Sequence, residues 1–291
     1  MPTDINPQGA TDLPDERDYK VEHILGAAPS DLPESVNLLN VPAKDQKKTM
    51  HCTAYGLTHV LEILNTIEHA LQIQLDAEEQ WKNQLTYPAT AKEEVGDSLQ
   101  SAIKSLKKFG LFTSKIKTED GKLRIQSYGL SNKNPEELKG WLSKSLPFYT
   151  GCQTDQWAAA KTTGILNITG TGGGHAFVIV GYNKNGFIGL NSWGAKWGKF
   201  GNGTFIIPFD QSIKLFSCYL IYDEKEVTHL FKDVTSASWA YNAIKTCLEN
   251  SIMNGYGEGA AIDRFFMPNQ FVTRAELAQT AANLFWALKS S

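Results

Sequence analysis

The chain has 291 residues, 42% of them apolar and 20% charged, which is enough for a large core and, at about 100 to 200 residues per domain, for one or two domains. A formal net charge of -3 offers no basic footprint, so nucleic acid is not expected as a partner. No run approaches the roughly 18 to 20 apolar residues that cross a bilayer, and the opening "MPTDINPQGATDLPDERDYK" lacks a charged-then-apolar signal sequence. The expectation is a chain with no membrane span, cytoplasmic as synthesised.

Residues 1 to about 30 are rich in Pro, Asp and Gly without a period and read as an extended arm. After irregular chain, a stripe of Leu57, Val60, Leu61, Leu64, Ile67 and Leu71 predicts a helix that begins near Cys52 and runs to about Gln72. A second helix is predicted from about Asp97 to a stop at Gly110, and a third after Asn134-Pro135. Beyond them "PFYTGC", "GILNITG", "HAFVIVGY", "GFIGLN", "GTFIIPF" and "CYLIYD" read as strands. A helical first half and a β second half indicate an α+β domain with two lobes and a cleft between them. Past the charged link "DEKEVTH" the pattern turns helical again, with Thr273 and Glu276 spaced as a capping box. The predicted organisation is an arm over 1–30, a main domain over 31–226 and a small helical module over 227–291.

The cysteines, Cys52, Cys152, Cys218 and Cys247, are widely spaced, with no CxxC pair and no dense disulfide framework. They suit a reducing compartment, and no metal or cofactor is expected. Position distinguishes Cys52, because the unpaired amides and dipole of a helix N-terminus favour a thiolate over a thiol. A thiol brought from a pKa of about 8.5 to about 4 by a histidinium partner gains roughly 6 kcal/mol of preference for the charged form.

Six histidines are candidates for that partner. His59 and His69 lie along the Cys52 helix, too far from its start, and read as solvated. His51 adjoins the thiol, but neighbouring side chains rarely face each other. His23 and His229 fall in the arm and the link. His175 stands between the glycine run "TGTGGG" and the apolar "AFVIVGY", at the end of a buried strand, and sixteen residues on "NSWGAKWG" places Asn191 at the end of the next. An asparagine there holds the histidine ring in one orientation, completing a nucleophile, base and orienter set. Trp193 and Trp197 are placed to shield that hydrogen bond.

These residues resemble the papain family of cysteine peptidases, across roughly 31 to 225. The family's glutamine, cysteine, alanine and aromatic stand as Gln46, Cys52, Ala54 and Tyr55; its HA…VGY as His175, Ala176, Gly181 and Tyr182; its NSWG…WG as Asn191 to Gly194 with Trp197-Gly198. The resemblance implies a papain-like two-lobed fold, helical lobe plus antiparallel β lobe. It makes Cys52 the nucleophile, His175 the base and acid, Asn191 the orienter and Gln46 a side-chain donor to the oxyanion. It departs from the family at Thr53, where most members have Trp, and at Thr49, where a cysteine and its disulfide are common; the long pro-region is also missing.

The C-terminal segment "FKDV…SWAYNAIKTCLENSIMNGYGEG…TRAELAQTAANLF" is similar to a single S-layer homology module. That resemblance implies cell-wall polysaccharide binding, with Trp239 and Arg274 as candidate glycan-binding residues, in which case the location is the cell envelope. The expected function is cysteine endopeptidase acting on peptide or protein through an acyl-enzyme. The rivals are a catalytically silent papain-like binding protein and a Cys-dependent acyl transferase.

Overall fold

The computed structural model describes residues 28–70, 72–87, 91–113 and 120–223, together with 10–11, 20–21, 229–231, 234–235 and scattered positions between 243 and 283. The chain divides into two compact units, Met1–Asp223 and Glu224–Ser291.

In chain order the first unit contains β1 (Ala10–Thr11), β2 (Val36–Asn37), α1 (Cys52–His69), α2 (Ala77–Thr86), β3 (Asp97–Ser98) and α3 (Leu99–Phe109). There follow β4 (Leu111–Phe112), β5 (Lys122–Leu123), β6 (Ile125–Ser131), α4 (Pro135–Ser143), β7 (Phe148–Gln153), α5 (Trp157–Thr163), β8 (Gly174–Asn183), β9 (Gly186–Leu190), β10 (Thr204–Ile207) and β11 (Cys218–Asp223). In the second unit the strands β12 (His229–Phe231) and β13 (Val234–Thr235) form an antiparallel pair.

The predicted helices form where their caps and stripes dictate. Ser98 caps α3 by accepting from the Ser101 N–H, and Gly110 ends it at φ 69°, a left-handed angle that glycine adopts without strain. Asn134 caps α4 by accepting from Glu136 and Glu137, with Pro135 at the first helical position. Helix α1 buries Leu57, Val60, Leu61 and Leu64 as its stripe requires.

The main sheet runs β10-β9-β8-β7-β11-β6, with β2 also on β8, and every pair in it is antiparallel. Strand β8 is buried everywhere but at its two ends, because α1 and a second apolar cluster occupy opposite faces of the sheet. Gly56 lets α1 approach this closely: a Cβ there would stand 3.0 Å from the Tyr149 ring on β7.

Three local expectations are corrected. "GILNITG" forms no strand; Ile165 makes a single parallel bridge to Ile206 on the outer edge of β10, and the Gly170 N–H donates to the Gln153 carbonyl of β7 at 3.0 Å. Helices α2 and α5 and strand β6 arise where no apolar period announced them. His59 is not solvated. It is fully buried, its Nε2 accepts the Lys44 N–H at 2.8 Å, and burial, with the nearby Lys44 charge, lowers its pKa from 6.5 to about 3. The ring replaces water for a main-chain donor of the segment that crosses α1. The predicted capping box at Thr273 and Glu276 lies outside the described residues.

Among the described residues no helix is long and apolar enough to cross a membrane.

Candidate active site

Cys52 is the first residue of α1, and the sheet holds that end of the helix directly: Tyr149 on β7 donates its O–H to the Thr53 carbonyl at 2.9 Å. Strand β7 pairs with β8, on which His175 stands opposite Cys152, so the helix start and the histidine share one corner of the sheet. Cys52 and His175 are both 0% exposed.

His175 Nε2 lies 2.8 Å from Asn191 Oδ1, just past the end of β9. The same oxygen accepts the Ser192 N–H at 2.7 Å, which identifies it as the carbonyl oxygen of the side chain. An acceptor facing Nε2 requires the proton on Nε2, so Nδ1 carries the lone pair. Nδ1 is buried with no hydrogen-bond partner among the described residues. Burial, partly opposed by the Asn191 bond, lowers the ring's pKa from 6.5 to about 4, so His175 is neutral at pH 7. A neutral, oriented imidazole with an unspent lone pair is a base.

Two tryptophans enclose the ring. Trp193 stacks on it, with centroids 4.3 Å apart and planes at 28°, and Trp157 meets it edge-on at 5.0 Å. The Trp193 position follows from the NSWG motif. Trp157, on α5, was not anticipated, because its helix is short and otherwise small or polar.

Gln46 joins the same network from the opposite side of the sequence. Its backbone N–H donates to the Ser192 carbonyl at 2.8 Å, its Oε1 accepts from Ser192 Oγ at 2.6 Å, and its Nε2 donates to the Thr49 carbonyl at 2.7 Å. One amide hydrogen is thus spent within the 46–52 segment and one remains for another acceptor. Ser192, missed in the sequence as a separate contributor, links Gln46 to Asn191, and the structure brings Gln46, Asn191, Ser192 and His175 into one hydrogen-bonded chain.

The arm reaches this corner. Ala10 and Thr11 pair in parallel with Asp97 and Ser98 of β3, and the Ala10 carbonyl stands against Gly174, immediately before His175, in the space a Cβ would occupy. Any side chain at position 174 would displace that strand. Cys152, one strand over, is a different kind of thiol: burial alone pushes its pKa far up, so it is inert. Trp239 and Arg274 lie outside the described residues. Among those described, no group of three or more His, Cys, Asp or Glu side chains is arranged to hold a metal ion.

The papain family cysteine protease model matches residues 67–214, a segment that carries His175 and Asn191 but begins beyond Gln46 and Cys52. The S-layer homology domain model matches residues 230–278. No curated protein matches the chain. Among solved structures it is similar to xylellain, a cysteine protease from Xylella fastidiosa, with TM-score 0.62, 19% identity, and coverage of 76% of this chain and 97% of that one. It is also similar to digestive procathepsin L 3 of the Tenebrio molitor larval midgut, with TM-score 0.56, 14% identity, and 70% of this chain and 75% of that one covered. A third likeness is to procathepsin B S9 from Trypanosoma congolense, with TM-score 0.58, 16% identity, and coverage of 75% and 87%. At these identities the three structures establish a papain-like fold, and with the family match spanning just over half of its 291 residues the chain belongs to the papain family of cysteine proteases.

Proposed function

We propose that this papain-like cysteine peptidase hydrolyses internal peptide bonds through Cys52, His175 and Asn191, with Gln46 as an oxyanion donor. The observation that carries the reading is the His175–Asn191 bond at 2.8 Å, which fixes the Nε2–H tautomer and leaves Nδ1 as the base. His175 Nδ1 takes the proton of the Cys52 thiol, and the sulfur attacks the peptide carbonyl carbon. The negative charge that develops on the carbonyl oxygen is met by the remaining Gln46 amide hydrogen and the Cys52 backbone N–H. His175 then gives its proton to the departing amine, the C–N bond breaks, and a thioester remains. Water, deprotonated by the same Nδ1, attacks the thioester and releases the acid and the thiol.

Residues 227–291 are proposed as a recognition module for cell-wall polysaccharide, on the strength of the S-layer homology match over 230–278. Trp239 and Arg274 are its candidate contacts; an arginine's planar fork suits the carboxylates of acidic wall sugars.

The test is a peptide-library digest with mass-spectrometric readout, with and without an added amine, using Cys52→Ala as control. Hydrolysed products from the wild type and none from Cys52→Ala are expected. Cleavage by the alanine variant refutes the mechanism, amide products formed with the added amine identify an acyl transferase, and no turnover by either protein identifies a binding protein.

A further inference from the structure

His51, the residue before Cys52, sits in a set of polar and ring contacts. His51 is 6% exposed, yet its ring faces two carboxylates: Nδ1 lies 3.0 Å from Glu78 Oε2, and Nε2 lies 3.0 Å from Glu93 Oε2. One face of the ring stacks on Trp81, with centroids 4.2 Å apart and planes at 17°. Each ring nitrogen thus faces a carboxylate oxygen within hydrogen-bond distance, from opposite sides of one planar ring.

The carboxylates are fixed in turn. Glu78, in the first turn of α2, accepts the O–H of Tyr55 from α1 at 2.9 Å. Glu93 accepts the Trp81 Nε1–H at 2.9 Å. It lies in the turn Lys92–Gly96, closed by the Gly96 N–H on the Lys92 carbonyl at 2.8 Å, which leads straight into β3. A second tie runs beside this one. Buried Gln84 donates from Nε2 to Thr53 Oγ1 at 2.9 Å and to Asp97 Oδ2 at 2.7 Å. The residues on both sides of Cys52 are therefore fastened to α2 and to the β3 edge, the edge that pairs with Ala10–Thr11.

Stability alone is a weak reason for this arrangement. The Glu78 and Glu93 side chains are 44% and 61% exposed, where solvent screening leaves an ion pair little net effect on stability. What a stack and two opposed bonds on one planar ring do supply is orientation. His51 occupies the capping position of helix α1 but makes no side-chain cap bond, because its ring is turned to the carboxylates.

We propose that His51, clamped between Glu78 and Glu93 and stacked on Trp81, is a positioning residue for the peptidase reaction, setting where the Cys52 thiol and N–H stand relative to the β3 edge. The proposal rests on Cys52 being the nucleophile. Misplacing reacting groups by about 1 Å can cost about 10²-fold, and a partly loosened clamp costs less.

The experiment measures kcat and KM of the full chain on a fluorogenic peptide, with circular dichroism to verify folding. His51→Gln, whose two N–H donors share one nitrogen and cannot reach carboxylates set against opposite ring nitrogens, should lower kcat about 10-fold with KM within about twofold. Glu93→Gln should lower kcat less, and the double variant His51→Gln with Glu93→Gln should be no slower than His51→Gln alone, because Glu93 acts through the ring. His51→Arg, whose planar fork donates to both carboxylates and stacks on Trp81, should recover part of the rate. If His51→Gln and Glu93→Gln both keep kcat within twofold of the wild type, or if their effects multiply in the double variant, the clamp is overturned. Should His51→Gln fail to fold, Glu93→Gln paired with Glu78→Gln carries the same comparison at exposed positions. Cys52→Ala, run in the same series, separates the two readings: its activity would remove the mechanism, whereas its silence beside fully active clamp variants would remove only the clamp.

Discussion

Replacing Asn191 with alanine tests the hydrogen bond on which the catalytic reading depends. The Asn191 side chain is fully buried, and its Oδ1 accepts from His175 Nε2 at 2.8 Å and from the Ser192 N–H at 2.7 Å. Alanine strands both donors where water does not reach, and each stranded donor costs about 1 to 3 kcal/mol. Two stranded donors together cost about 2 to 6 kcal/mol. Without the Asn191 acceptor nothing favours the proton on Nε2, and that harms the chemistry, because a ring protonated on Nδ1 has no lone pair for the Cys52 thiol. Both tautomers remain accessible without Asn191, so kcat should fall by about 10- to 10²-fold, less than the roughly 10⁴-fold known for a triad locked in the wrong tautomer. Urea unfolding followed by tryptophan fluorescence reads the first quantity, and turnover of a fluorogenic peptide reads the second. A large loss of stability with an unchanged kcat would refute the reasoning, since Asn191 would then support the fold without orienting the base.

Gln46→Ala should lower the rate by about 10² to 10³, the loss for one oxyanion donor; steady-state kinetics showing less than a threefold change would remove it from that role. The pairing of Ala10–Thr11 with β3 and the zero exposure of Cys52 and His175 predict that a chain beginning at Asp31 hydrolyses a short peptide faster than the full one, and equal rates would show that the arm restrains nothing. His59 and His175 have folded pKa values of about 3 and about 4, below the unfolded 6.5, so the stability each contributes is complete above pH 6.5 and is lost as the pH falls towards those values. By pH 4.5 the loss is about 2 to 3 kcal/mol per histidine, partly offset by Glu62, whose burial raises its carboxyl pKa and acts in the opposite sense; unfolding midpoints that do not move between pH 7.5 and 4.5 would contradict it. Finally, the full chain should co-sediment with purified Gram-positive wall polysaccharide more than a chain ending near Glu226, with Arg274→Ala between them, and equal sedimentation of all three would make the module a cap without a ligand.

Much of this protein is legible in one dimension because the signals are local. The α1 stripe, the Ser98 and Asn134 caps and the apolar β8 each lie within a few residues of the feature they specify, and the motifs around Gln46, Cys52, His175 and Asn191 identify the candidate site without coordinates. The failures share a cause. Helix α2 carries buried Gln80 and Gln84 where a stripe needs apolar residues, and their burial is possible only because Ser105, Thr53 and Asp97 arrive from other elements to bond them. "GILNITG" and β10 read alike in sequence, yet β10 pairs along its length with β9 while "GILNITG" makes a single bridge to β10. His59 and His51 are both histidines near one helix start; the Lys44 main chain meets the first as a buried neutral acceptor, and two carboxylates with Trp81 enclose the second. The sequence alone determines which residue types can do the chemistry. The tautomer of His175, the clamp on His51 and the arm against Gly174 are decided by partners distant in the chain, because the state of a polar group depends on what meets it after folding.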